Sequence, residues 1–314
     1  VSCAILSRSI LGGRRGATLI GAVALLLWAA LALLTTSTGA VPPFQLTTLT
    51  FALAFGLALV KWAAFRESPA AYLRQPLSVW AVGVGGLFGY HALYFLALKA
   101  APPVEVSLIA YLWPLLIVVF SALLPGERLR WWHLAGALAG LLGTVLLVTD
   151  GGRVAFRAEN ALGYAAALGC ALVWSSYSVA SRRFGRVPSD VVGGFCGATA
   201  LLALLCHLAF ETWTRPSEGE WLAILGLGLG PVGIAFFVWD HGMKHGDIKA
   251  LGALSYATPL VSTLLLVASG KAPPTPLIGL ACLLVVGGAV LASRELWART
   301  RTGLRHDAAG ADDR

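Results

Sequence analysis

The stretch KAAPPVEVSLIAYLWPL, residues 99–115, is answered by KHGDIKALGALSYATPL, residues 244–260. Lys99, Tyr111, Pro114 and Leu115 recur there as Lys244, Tyr256, Pro259 and Leu260, an interval of about 145 residues in a chain of 314. Trp28 finds a counterpart in Trp174, one residue out of that register. Around these landmarks about ten apolar stretches, each near membrane-spanning length, fall into two groups of five. An odd number of spans per copy forces the second copy to enter the membrane upside down. Inverted repeats of that kind are a transporter arrangement, with the substrate site near the midplane where the halves meet.

Composition leads to the same place. The chain is 58% hydrophobic with a mean hydropathy of +0.78 and only 12% charged residues, against about 25% charged in a soluble domain. Lipid accepts that much apolar surface, because a helix of roughly 20 residues satisfies its own backbone across about 30 Å of hydrocarbon. The expected fold is all-α: a polytopic membrane protein of ten transmembrane helices in two inverted five-helix repeats. The spans are predicted at 17–37, 44–65, 77–98, 104–124, 132–149, 161–182, 191–210, 221–243, 248–269 and 277–297. Residues 1–150 then form the first repeat, 151–298 the second, and 299–314 a polar cytoplasmic tail. Arg14-Arg15 before an apolar run resembles a secretory signal, but Thr38-Gly39-Ala40 is a poor cleavage site, so the run reads as the first span.

With the N-terminus inside, all but five of the 23 Lys and Arg fall on the inner side. Only Lys99, Arg153, Arg157, Arg215 and Lys271 lie outside. The positive-inside rule therefore predicts a multi-pass membrane protein with both termini in the cytoplasm. The net charge of +8 is a topology signal and needs no nucleic acid to explain it. The five Cys are scattered without CxxC spacing and read as small packing residues, with no metal or cofactor implied. No Walker loop, HExxH or GxSxG is present, so neither ATP use nor a membrane enzyme is suggested.

Tryptophan sorts the chain into surface and depth. Trp62, Trp80, Trp131, Trp132, Trp213, Trp221 and Trp297 sit at span ends and fit an aromatic belt at the headgroups. Trp28, Trp113, Trp174 and Trp239 lie deeper, together with Tyr90, Tyr94, Tyr111, Tyr177 and Tyr256. Tyr90 and Tyr94, four apart, share one face of the third span, with His91 beside them. Buried Tyr and Trp polar tips want partners that lipid does not offer. Two readings compete: interior packing with the tips bonded to neighbouring helices, or an aromatic-lined pocket for a planar or cationic solute. His91 is either a hydrogen-bonded core histidine or a proton carrier. Lys99 and Lys244 snorkel from span ends, or one turns inward to a substrate carboxylate; Lys244, beside Asp240 and His241, is the stronger candidate. Glu105 and Glu127 read as capping or loop contacts at the two ends of the fourth span. Pro114 and Pro259, mid-span at equivalent places, each remove a backbone hydrogen bond and are hinge candidates. Glycine runs in the spans favour close helix packing.

Tyr94-Phe-Leu-Ala-Leu-Lys99, Tyr111-Leu-Trp-Pro114, Gly126-Glu127-Arg-Leu and Gly136 to Gly143 resemble the EamA repeat of the drug/metabolite transporter superfamily. The second copy matches through Met243-Lys244, Tyr256-Ala-Thr-Pro259 and Gly287-Gly288 but has Gly270-Lys271-Ala272 where Gly-Glu-Arg-Leu would stand. Tyr90-His91-x-x-Tyr94 with Tyr111-Leu-Trp113-Pro114 is most similar to YddG-type aromatic amino acid exporters. The resemblance implies a central cavity and export of Phe, Tyr and Trp, with amphipathic cations such as methyl viologen as further candidate cargo. It makes Tyr90, His91, Tyr94, Tyr111 and Trp113 cavity residues, with Trp174 opposite. Tyr177, Trp239 and Lys244 complete the expected substrate site. The lack of an acidic residue midway along the first span favours facilitated diffusion by alternating access, in a protein functional as a monomer. The alternative is an exporter of the same fold for another metabolite or a cationic drug, proton-coupled through His91 or Asp240.

Overall fold

The computed structural model describes residues 13–152, 154–268 and 273–294. Cys3, Trp297 and the tail expected over 299–314 lie outside them. The described residues are helical, with no strand among them. The first five membrane-length segments are α1 (Gly13–Ala29 continuing through Leu31–Thr36), α2 (Pro43–Ala64), α3 (Leu77–Ala100), α4 (Pro103–Ala110 and Trp113–Phe120) and α5 (Trp131–Thr149). The second five are α6 (Ala161–Ser181), α7 (Val191–Phe210), α8 (Glu218–Leu229 and Ala235–His245), α9 (Ile248–Leu254 and Ala257–Ala268) and α10 (Pro276–Ala292). Nine are long and apolar enough to cross a membrane; α10 is a shorter apolar helix of 17 residues. Local chemistry sets the ends. Pro43 and Pro103 start α2 and α4 where the missing N–H costs nothing. Ser217 and Glu220 form a reciprocal cap on α8, and Asp247 accepts from the Lys249 and Ala250 amides to cap α9.

The packing repeats with the sequence. The main pairings are α1 with α8, α3 with α6, α2 with α7, and α5 with α10. Adding five to each number of the first repeat, and subtracting five in the second, turns α1–α8 into α6–α3 and leaves the other two pairings unchanged. That is the contact pattern of two halves related by a two-fold axis through the α2–α7 and α5–α10 seams. Small residues make these seams. A side chain at Gly136 would strike the Gly288 carbonyl and one at Gly288 the Gly136 carbonyl, so α5 and α10 approach to backbone contact. Gly21 and Gly242 do the same for α1 against α8.

Both α4 and α9 are broken, α4 after Ala110 and α9 after Leu254, at matching places in the two repeats. Pro114 and Pro259 each lie in the first turn of the second piece. The Leu115 N–H, released at the α4 break, donates at 3.1 Å to the hydroxyl of Tyr256, which stands at the α9 break. A third irregularity, a π-helical turn over Gly230–Ile234 containing Pro231, divides α8.

Two of the span-end tryptophans are buried within the protein. Trp62 is 1% exposed, stacked on Tyr72 at 5.2 Å. Trp132 is buried between the Arg130 and Arg294 guanidinium groups, 5.0 and 4.3 Å from its ring. Partners brought by the tertiary fold cover both. Trp131, Trp213 and Trp221 are exposed.

Candidate functional site

Four indoles meet at the centre of the bundle: Trp28 of α1, Trp113 of α4, Trp174 of α6 and Trp239 of α8. All six pairs are in ring contact, with centroids 5.1–6.4 Å apart, and five of the six are edge-on or tilted. Aromatic quadrupoles favour such edge-to-face arrangements. Each half contributes two rings, and each indole is at most 8% exposed. Backbone irregularities hold the cluster. The Trp28 ring N–H donates to the Pro231 carbonyl at 2.9 Å, inside the π-helical turn of α8. Ser175 donates to the Trp113 carbonyl beside the α4 break, and Trp239 donates to the Ser178 hydroxyl.

The other expected site residues surround this core unevenly. Tyr90 lies 5.6 Å from Trp174 and stacks on Tyr94 at 5.9 Å, as their four-residue spacing requires. Tyr177 lies 5.3 Å from Trp174, with its hydroxyl buried and without a hydrogen-bond partner among the described residues. His91 stands edge-on to Phe51 at 5.0 Å. Its Nδ1 meets the Leu87 carbonyl at 2.7 Å, which makes Nδ1–H the donor. Tyr111 is half-buried at the end of the first piece of α4. Lys244 is not brought into the aromatic core. Its ammonium pairs with Asp240 at 2.7 Å and donates to the Val187 carbonyl at 2.9 Å, with both side chains 2% exposed.

Several core members go beyond the expected set. Trp28 belongs to the deep tryptophans, and its repeat partner Trp174 is the signal that places it in the site. Phe51 and Phe236 stack at 5.7 Å against the same core. Two phenylalanines among the chain's 13 carried no signal of their own.

One end of the bundle is sewn by charge. Glu127, between α4 and α5, accepts from Arg14 at 2.9 Å and Lys249 at 2.8 Å and pairs with Arg182 at 3.3 Å. Arg14 also reaches Asp247 at 3.3 Å. Arg182 donates to the Met243, Lys244 and Gly246 carbonyls, capping α8. Glu127 is thus a hub, more than the loop contact its position suggested. Burial pushes its carboxyl up, but the Lys249 hydrogen bond and the charges of Arg14, Lys249 and Arg182 outweigh that and hold it below its ordinary value. At this end α6 packs on α8; the repeat-related pair, α1 and α3, makes no comparable contact at the other end.

Residues 15–149 and 161–294 each match the EamA-like transporter family. The chain belongs to the EamA-like transporter family. Within it, the chain is 58% identical over 281 residues to the aromatic amino acid exporter YddG of Ancylobacter novellus, covering 89% of this chain and 98% of the relative. It is 24% identical over 309 residues to the aromatic amino acid exporter YddG of Escherichia coli, covering 92% and 99%. A probable terminal-alkyne amino-acid exporter of Streptantibioticus cattleyicolor is 25% identical, with 70% of this chain and 73% of the relative covered. A crystal structure of a protein 58% identical to this EamA transporter superposes with a TM-score of 0.86, covering 89% of this chain and 99% of that one. The chain is therefore a polytopic membrane transporter of small molecules, not an enzyme.

Proposed function

We propose that this EamA transporter exports Phe, Tyr and Trp across the bacterial inner membrane by alternating access, with both termini cytoplasmic and a single chain as the working unit. The observation that carries the reading is the four-indole core, assembled from both repeats at the point where inverted halves meet. A planar ring can replace one indole-to-indole contact with another of the same kind, so an aromatic cargo keeps the quadrupolar contacts that it displaces. Amphipathic cations such as methyl viologen fit the same faces through cation–π attraction.

Facilitated diffusion is favoured over proton coupling. His91 donates Nδ1–H to a backbone carbonyl in an aromatic setting, and Asp240 is already paired with Lys244. The Glu127 hub closes the basic end, which the charge distribution makes cytoplasmic. The weaker α1–α3 packing leaves the far side the readier to open.

Uptake of labelled Phe, Trp and Thr into proteoliposomes, with and without a pH gradient, tests this. Saturable Phe and Trp flux that ignores the gradient and falls in Trp113→Ala is the expected result. Thr flux without Phe flux overturns the aromatic reading. Gradient-driven flux lost in His91→Ala moves the protein to the proton-coupled alternative.

A further inference from the structure

Between the indole core and the charged end lies a cleft lined by Val79, Tyr177, Ser181, Phe195, Asp240 and Lys244, among others. Its polar groups are unusual for membrane depth. Asp240 and Lys244 form an ion pair one helical turn apart on α8, each side chain 2% exposed. Asp240 Oδ2 faces the ammonium at 2.7 Å yet makes no aligned hydrogen bond among the described residues. The Tyr177 hydroxyl, buried in the same cleft, has no hydrogen-bond partner there either. Two buried polar groups without an aligned hydrogen bond in one cleft, Asp240 Oδ2 and the Tyr177 hydroxyl, are costly in lipid and mark a place where a polar group is received. The cleft also adjoins the rings: Trp239 precedes Asp240 in α8, and Tyr177 touches Trp174.

From this we infer that Asp240 and Lys244 are the recognition site for a zwitterionic head group. The internal pair opens so that Asp240 takes the substrate α-ammonium, Lys244 the α-carboxylate, and the Tyr177 hydroxyl donates to the carboxylate. The inference rests on the aromatic amino acid cargo proposed above and adds the specificity element for its head. Charge balance is the physical reason. Exchanging one internal pair for two substrate pairs leaves no charge unpaired in a low-dielectric cleft, whereas an amine or an acid alone would strand Lys244 or Asp240. Side chains four apart on a helix have Cβ atoms about 5–6 Å apart, a span that brackets the two charged groups on one α-carbon. The ring then lies towards Trp174 and Trp239.

The test is competition against labelled Trp flux in proteoliposomes by Phe, phenethylamine and 3-phenylpropionate. The unmodified protein should be inhibited by Phe at a concentration about tenfold or more below either analogue, the loss expected when one side of a buried charge contact is removed. Lys244→Met should weaken Phe and spare phenethylamine. Asp240→Asn should weaken Phe and spare 3-phenylpropionate. The double variant Asp240→Asn with Lys244→Met strands no charge, so it keeps its fold by gel filtration while its preference for Phe disappears. If the double variant retains the Phe preference, or the single variants weaken all three competitors alike, the pair is structural and the inference falls. If the unmodified protein carries no Trp, the cargo reading fails first and takes the inference with it. Trp flux with no discrimination among the three competitors overturns the inference alone.

Discussion

Individual side chains carry two kinds of burden in this transporter, a hydrogen bond that must be met and a charge that must be matched. The Trp239 ring N–H depends on the Ser178 hydroxyl in a fully buried position. Ser178→Ala should cost about 1–2 kcal/mol, read as a lowered unfolding midpoint in detergent, because the indole donor stays buried without an acceptor. Glu127 answers to pH. Its carboxyl is held below its ordinary value despite burial, by Lys249, Arg14 and Arg182. A group lowered on folding contributes fully above its unfolded pKa, and that contribution is lost as pH falls through the folded value. Thermal stability should therefore decline as pH drops below 4.5, the unperturbed glutamate value, and Glu127→Gln should be less stable at neutral pH and flatter across that acid range. Depth along a span is legible in sequence, which is why Trp113, Trp174 and Trp239 were placed in the core. Lateral partners are not: Glu127 meets Arg14 and Lys249 across 113 and 122 residues, and Trp62 is covered by a stacked Tyr72. For the same reason Lys244 could be singled out as an inward-turning cation while its engagement by Asp240 and Val187 awaited the fold.

Among the elements, the interrupted helices matter most. Repeated Pro114 and Pro259 announced the breaks in α4 and α9, since a residue without an N–H leaves a mid-span carbonyl to find another donor. What one chain position cannot announce is the acceptor for the N–H freed at the same break, the Tyr256 hydroxyl that takes the Leu115 N–H. Tyr256→Phe should destabilise the fold by about 1 kcal/mol, measured by thermal unfolding in detergent. Pro114→Ala restores a donor and straightens α4; its expected signature is a lower maximal rate with KM little changed, seen in initial flux against Trp concentration. The π-helical turn of α8 left no such mark beyond Gly230-Pro231, and its carbonyl bond to Trp28 emerges only from the packing of α1 on α8. Nine of the ten expected spans are legible nearly end to end, because the bilayer imposes one length and one polarity on the helices that cross it.

For the whole molecule, the proposed alternating access puts the Glu127 hub at the end that must open and close. If the basic end must open to admit cargo, holding it shut stops transport. In a background without the native cysteines, Arg14→Cys with Asp247→Cys joined by a short thiol cross-linker should reduce Trp flux to that of empty liposomes, and cleaving the linker should restore it. The four central indoles carry one more consequence. Chromophores in mutual contact at 5.1–6.4 Å share their excited states, so their near-ultraviolet circular dichroism and emission belong to the group and not to any one ring. A cargo that parts them must alter that collective signal. The transporter thus contains its own optical gauge of occupancy, readable without a label.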